Sequence, residues 1–149
     1  MDKVSFVSLN TRGLADPSKR RDVFSHLRQK KYSIIYLQDT HFTKSLERVI
    51  TSEWGYKVWF SSFRSNSRGV AILFKNDIEF KVHHSYSDNF GNVLLLDIEL
   101  FQKRITLVNI YGPNEDNPAF YERLKDIIIK QGNANIVITG DWNLLLDPT

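Results

Sequence analysis

Asp141 and Asn143 flank Trp142 directly after Gly140, at the end of the apolar run Ile136-Val137-Ile138-Thr139. A strand that ends in a loop bearing a carboxylate and an amide holds two polar groups rigidly over a ligand. A lone Asp-x-Asn also suits a turn, because both side chains bond the local backbone. The pattern repeats upstream, which favours chemistry: Asn10 follows the run Val4–Leu9, Asp39 comes just after Ser33–Leu37, and Tyr111 follows Arg104–Ile110. Two carboxylates, two amides and a phenol contain no thiol and no acyl-transfer triad. Carboxylate oxygens suit a hard cation such as Mg²⁺, which keeps several waters and takes one or two protein carboxylates. Amide and phenol groups donate hydrogen bonds to phosphate oxygens. The set is suited to metal-assisted attack of water on a phosphodiester, with an Asp orienting or deprotonating the water.

Such a site forms only if these strands point the same way and deliver the five side chains to one rim, where α/β proteins place their chemistry. The spacing predicts strands over Val4–Leu9, Ser33–Leu37, Tyr56–Phe60, Gly69–Phe74, Ile78–Val82, Val93–Leu100, Arg104–Ile110 and Asn135–Thr139. Ser33–Leu37 is continuously apolar and reads as buried on both faces. Lys75-Asn76-Asp77 joins two of the strands, and Phe101-Gln102-Lys103 closes a hairpin. Asp16-Pro17 and Asn117-Pro118 read as helix starts, an N-cap followed by Pro in the first turn. The first helix packs Val23, Phe24 and Leu27 inward and leaves Arg20, Arg21, Arg28, Lys30 and Lys31 as a solvated basic face. A short helix buries Leu46, Val49 and Ile50 on one side. The last helix buries Phe120, Leu124, Ile127 and Ile128 and stops at Gly132. Runs of strands flanked by a few helices predict an α/β fold of two packed mixed β-sheets covered by helices.

Composition fits one soluble domain. The 149 residues are 42% hydrophobic and 25% charged, which excludes disorder as the main state. A net charge of +3 permits a polyanionic partner without demanding one. The chain has no cysteine, hence no disulfide and no thiolate metal site. No apolar run is long enough for a membrane-spanning helix, and Met1-Asp2-Lys3-Val4 does not open a signal peptide.

Five segments in order carry a resemblance: Ser8–Gly13, Leu37-Gln38-Asp39-Thr40-His41, Ser67–Leu73, Leu107–Asn114 and Gly140-Asp141-Trp142-Asn143. The chain resembles the exonuclease–endonuclease–phosphatase family, and most closely the endonuclease domain of LINE-type (non-LTR) retrotransposons. The resemblance implies a four-layer α/β sandwich and Mg²⁺- or Mn²⁺-dependent nicking of DNA, leaving a 3′-hydroxyl that primes reverse transcription. It makes Asn10 and Asp39 the metal-site residues, Tyr111 a phosphate contact, Asp141 the group that activates or aligns water, and Asn143 the group that positions the phosphate. It also implies a nuclear location.

The pattern has departures. Asp39 stands where the family has Glu, one methylene longer. Trp142 stands where Phe is usual, a packing change. The chain ends at Asp147-Pro148-Thr149, before the family's Ser-Asp-His-like segment. These 149 residues alone are therefore expected to cut weakly or not at all, and a nucleic-acid- or protein-binding module of the same fold is the alternative. His41 neighbours the metal-site position without being the family's catalytic His; His26, in a helix, and His83-His84, at a strand end, read as structural. A sheet incomplete at the C-terminus would leave an open apolar edge, to be covered by a second copy of the chain or a protein partner. Trp54, Tyr56, Trp59, Phe60 and Phe63 precede Arg64 and Arg68. The Trp residues read as core. Arg64 and Arg68, on a projecting Ser-rich loop, are assigned to nucleic-acid contact, as is Asn114.

Overall fold

The structure, a computed structural model, describes Lys3 to Asn143, and the chain end at Asp147-Pro148-Thr149 lies outside the described residues. The strands are β1 (Phe6–Asn10), β2 (Ile34–Gln38), β3 (Val58–Ser61), β4 (Val70–Phe74), β5 (Lys81–Ser87), β6 (Val93–Leu100), β7 (Lys103–Tyr111) and β8 (Ile136–Asp141). The α-helices are α1 (Pro17–Lys30), α2 (Glu47–Trp54) and α3 (Pro118–Gln131). The strands form two four-stranded sheets, ordered β1-β2-β4-β3 and β5-β6-β7-β8.

Strand alternation builds three apolar layers between four structural ones. Ile34 and Tyr36 of β2 meet Leu94, Leu96 and Leu107 between the sheets. Ile35 and Leu37 point the other way, onto Phe24 and Leu27 of α1 and Ile50 and Trp54 of α2. On the far side, Val93, Leu95, Val108 and Ile110 meet Phe120 and Leu124 of α3. The expected two packed mixed sheets covered by helices are what the chain forms. The caps behave as their chemistry dictates. The Asp16 side chain accepts from Ser18 N, the Asn117 side chain from Phe120 N, and Gly132 ends α3 in the left-handed region. No helix among the described residues is long and apolar enough to cross a membrane.

Three expectations fail locally. Ile78–Val82 is not a strand of its own. Ile78 is buried between the sheets and Phe80 stacks on Phe74 at 3.9 Å, so this stretch is the crossover that carries the chain from one sheet to the other. The strand begins at Lys81, is bulged between Val82 and His84, and continues through polar residues; His83 and His84 lie inside it, with His83 paired to Glu99 at 2.9 Å. Val49 is 45% exposed while Ile50 carries the contact of α2. Arg20 is not on a solvated face: it is buried, bonds Glu53 through Nε at 2.8 Å and Nη2 at 3.0 Å, and donates to the Leu14 and Ala15 carbonyls.

Candidate active site

Two parallel pairings deliver the rim. β1 runs parallel to β2, with Asn10 opposite Gln38, and β7 runs parallel to β8, with Tyr111 opposite Asp141. β1 and β8 are neighbours across the sandwich. Asn10, Asp39, Tyr111, Asp141 and Asn143 therefore leave the same edge of the molecule. The two sheets meet there directly: Asn10 Nδ2 donates to Asp141 Oδ2 at 2.5 Å, while Asn10 Oδ1 accepts from Arg12 N at 3.0 Å.

Each sheet holds its half differently. In the second sheet, Asp141 Oδ1 accepts from Asn143 N at 3.0 Å, and Asn143 Nδ2 donates to the Gly112 carbonyl at 2.7 Å. Gly112 N in turn donates to the Asp141 carbonyl at 2.6 Å. Only glycine fits at 112, because a Cβ would collide with the Trp142 carbonyl. Trp142 stacks on Tyr121 with ring centroids 6.0 Å apart, which supports its reading as a packing residue. In the first sheet, Asp39 (φ 53°) and His41 (φ 61°) both sit in the left-handed region. The turn is pinned by Gly13 N to the Asp39 carbonyl at 2.7 Å and His41 N to the Arg68 carbonyl at 2.8 Å. It brings His41 Nε2 to 2.8 Å from Asp39 Oδ1.

The Tyr111 phenol pKa lies above its ordinary value. Burial is the main cause; the Asp39 and Asp141 charges add to it, and Asn143 and Arg68 offset part of it. The phenol thus feels groups from both sheets and stays a proton donor at neutral pH.

Several positioning residues escaped the sequence reading. Asn109 is fully buried; its Nδ2 donates to the Leu37 and Ala71 carbonyls at 3.0 and 2.9 Å, and its Oδ1 accepts from Gln38 Nε2 at 2.9 Å. This amide network welds the sheets just below the rim. An Asn inside the apolar run Leu107-Val108-Asn109-Ile110 was the available signal. Asn92 had none: its Nδ2 donates to the Tyr111 carbonyl at 2.6 Å, and Tyr111 N donates back to its carbonyl at 2.8 Å.

The sequence-assigned contact residues separate. Arg64 and Arg68 lie together, their guanidinium carbons 4.6 and 4.7 Å from the Phe63 ring centroid. Asn114 is exposed on the loop after β7, and among the described residues no side-chain hydrogen bond ties it to the rim.

Among the described residues, no three His, Cys, Asp or Glu side chains gather as a metal cage. The charged oxygen donors at the rim are the Asp39 and Asp141 carboxylates, with the Asn10 and Asn143 amide oxygens and the Tyr111 hydroxyl beside them. One or two carboxylates with room for water fit Mg²⁺ or Mn²⁺ rather than an ion that needs an all-protein shell.

Comparison with known proteins agrees with this architecture. The chain is 32% identical over 147 residues to the "Transposon TX1 uncharacterized 149 kDa protein" of Xenopus laevis, covering 97% of the chain and 11% of that protein. Its fold matches the endonuclease domain of TRAS1, a telomere-specific non-LTR retrotransposon, with a TM-score of 0.67 at 19% identity over 93% of this chain and 60% of that one. It also matches D. rerio TDP2 complexed with a single-strand DNA product, with a TM-score of 0.70 at 16% identity over 96% of this chain and 62% of that one. The chain thus spans about a tenth of its transposon relative and three-fifths of either solved chain. Residues 7–148 match the Endonuclease/Exonuclease/phosphatase family model. With two helix-covered sheets and a polar rim at parallel strand ends, the chain belongs to the endonuclease/exonuclease/phosphatase family.

Proposed function

We propose that the rim is a divalent-metal phosphodiesterase site and that the chain is a DNA endonuclease domain of the retrotransposon type. The observation that carries this reading is the convergence of Asn10 and Asp39 from one sheet with Tyr111, Asp141 and Asn143 from the other, joined by the Asn10–Asp141 hydrogen bond. The Asp39 carboxylate and the Asn10 amide oxygen would hold Mg²⁺ or Mn²⁺. When bound, the cation neutralises charge on the phosphate. Asp141 is held by two donors, Asn10 Nδ2 and Asn143 N, and retains acceptor capacity for the proton of an attacking water. Tyr111, kept protonated by its burial, donates to a phosphate oxygen. The Asn143 amide, fixed on the Gly112 carbonyl, has a second N–H for the same phosphate. Arg64 and Arg68 would contact the DNA backbone, and this activity would place the protein in the nucleus.

The second reading, a module that binds nucleic acid or protein without cutting, draws on the Asp39–His41 bond, which competes for the carboxylate a metal needs. On either reading, the exposed apolar side chains of the edge strands, Phe6 and Leu9 of β1 and Ile136 and Ile138 of β8, are assigned to contact with a second copy or a protein partner. A strictly monomeric mass by light scattering, with no binding of an apolar dye, would remove that assignment.

The test is turnover of supercoiled plasmid and of a phosphomonoester, each with Mg²⁺, with Mn²⁺ and with EDTA. Weak metal-dependent nicking without phosphomonoester hydrolysis is the expected result. Plasmid binding without nicking supports the second reading, and phosphomonoester hydrolysis alone contradicts both.

A further inference from the structure

We propose that Phe90 is a stacking platform for an unpaired DNA base beside the reacting phosphate, an inference that rests on the nuclease reading above. Phe90 sits in the turn between β5 and β6 and is 59% exposed. Phe63, on the loop after β3, supports it edge-on, with ring centroids 6.3 Å apart and planes at 62°. The Arg64 and Arg68 guanidinium groups lie over the same Phe63 ring, and Arg68 Nη1 reaches the Phe90 carbonyl at 3.5 Å. One aromatic ring thus carries two cations and props a second ring into solvent.

The turn is built to hold that pose. Asp88 Oδ1 accepts from Phe90 N at 3.1 Å, Asn92 N at 3.3 Å and Ser61 Oγ at 2.8 Å. Gly69 N donates to the Gly91 carbonyl at 3.1 Å, and a Cβ at Gly91 would lie 2.5 Å from Gly69 N, so the two loops dock backbone to backbone. Rigid aromatic groups lose little entropy on binding, which favours them as contact residues.

Position and charge select the occupant. Asn92, two residues after Phe90, exchanges backbone and side-chain hydrogen bonds with Tyr111, and the Arg68 carbonyl accepts from His41 N. One loop of the platform is therefore bonded directly to Tyr111 of the rim, and the other to the turn that carries Asp39. In Ser61–Arg68 and Asp88–Asn92 the one carboxylate is Asp88, and three donors engage it from within. An aromatic face flanked by guanidinium groups suits a base and its phosphate. Within a duplex both faces of a base are taken by its neighbours, so the platform engages a base only where the stack is open.

The experiment uses the full chain in EDTA, which withholds divalent metal, with a single-stranded oligonucleotide carrying one 2-aminopurine and with the same strand annealed. Affinity is read by anisotropy and stacking by the 2-aminopurine quench. Phe90→Ala is expected to weaken single-strand binding about tenfold and to abolish the quench. Duplex affinity should stay within about twofold and Phe90→Trp should restore both signals. Equal affinity and equal quench in wild type and Phe90→Ala, with thermal melting unchanged, overturn the platform. The metal-free readout separates the two proposals. Phe90-dependent quenching without any nicking keeps the platform and removes the nuclease reading; nicking without such quenching does the reverse.

Discussion

The two ends of the first sheet make opposite uses of polar groups. At the start of β2, a cavity of 470 Å³ is lined by Arg28, Lys31, Tyr32, Trp54, Tyr56 and Lys75. It is concave, basic and aromatic, the usual look of a binding site. Yet three of these polar groups are already used. Arg28 donates to the Trp54 carbonyl at 3.1 Å and lies over the Trp54 ring, Tyr56 donates to the Ile78 carbonyl at 3.1 Å, and Lys75 pairs with Asp77 at 3.3 Å. At the other end of the same strand, Asp39 joins Asn10, Tyr111, Asp141 and Asn143 around a shallow rim. There the groups converge from two sheets and keep unused donor and acceptor capacity. Concavity follows from where helices and loops fail to meet; convergence requires parallel strands ending together, and only the second can assemble a reaction.

Substitutions break this contrast in a graded way. Tyr111→Phe removes the hydroxyl proposed to contact the phosphate and keeps the ring, so nicking is expected to fall about 10²–10³-fold while DNA affinity holds; single-turnover rates check it. Asn109→Leu removes the weld without touching substrate. It takes one acceptor from Gln38 Nε2, which keeps Ser8 Oγ, and removes the donor shared by the Leu37 and Ala71 carbonyls; it should cost about 2–4 kcal/mol and lower the melting temperature by about 5–15 °C, with nicking reduced because the half-sites drift apart. Asp97 offers a pH-linked measure of the second sheet. Its hydrogen bond from Arg104 lowers its pKa, with help from Asn133. A carboxylate depressed in the native state contributes stability above the unfolded value of about 4, and that contribution is lost as pH falls through the native value. Asp97→Asn should therefore destabilise at neutral pH and flatten the acid limb of a stability profile below about pH 4. The smallest effect belongs to the cavity. Lys31→Ala and Lys75→Ala should leave nicking and DNA affinity within about twofold, since exposed charges at a distance are screened.

Legibility followed the same divide. The strands that carry the rim, their apolar runs and the Asp16 and Asn117 caps were readable because local periodicity and cap chemistry set them. So were the five rim residues, because each follows an apolar run. The β5 strand was not: it is polar, bulged and exposed, while the apolar Ile78 and Phe80 before it fill a crossover instead. Arg20 looked like one more surface cation, and only its pairing with Glu53, 33 residues away, buries it. Asn92, Gln38 and Phe90 act through contacts between loops or sheets distant in sequence, which no local pattern encodes.

The central claim is that one rim, assembled from both sheets, performs phosphodiester cleavage. Its most direct test is nicking of supercoiled plasmid in Mg²⁺ or Mn²⁺ by the wild-type chain and by Asp141→Ala, with melting temperature as the folding control. Metal-dependent nicking that falls at least about 10²-fold in a folded variant is the expected result. Equal nicking by the two proteins, or nicking that persists in EDTA, would contradict it.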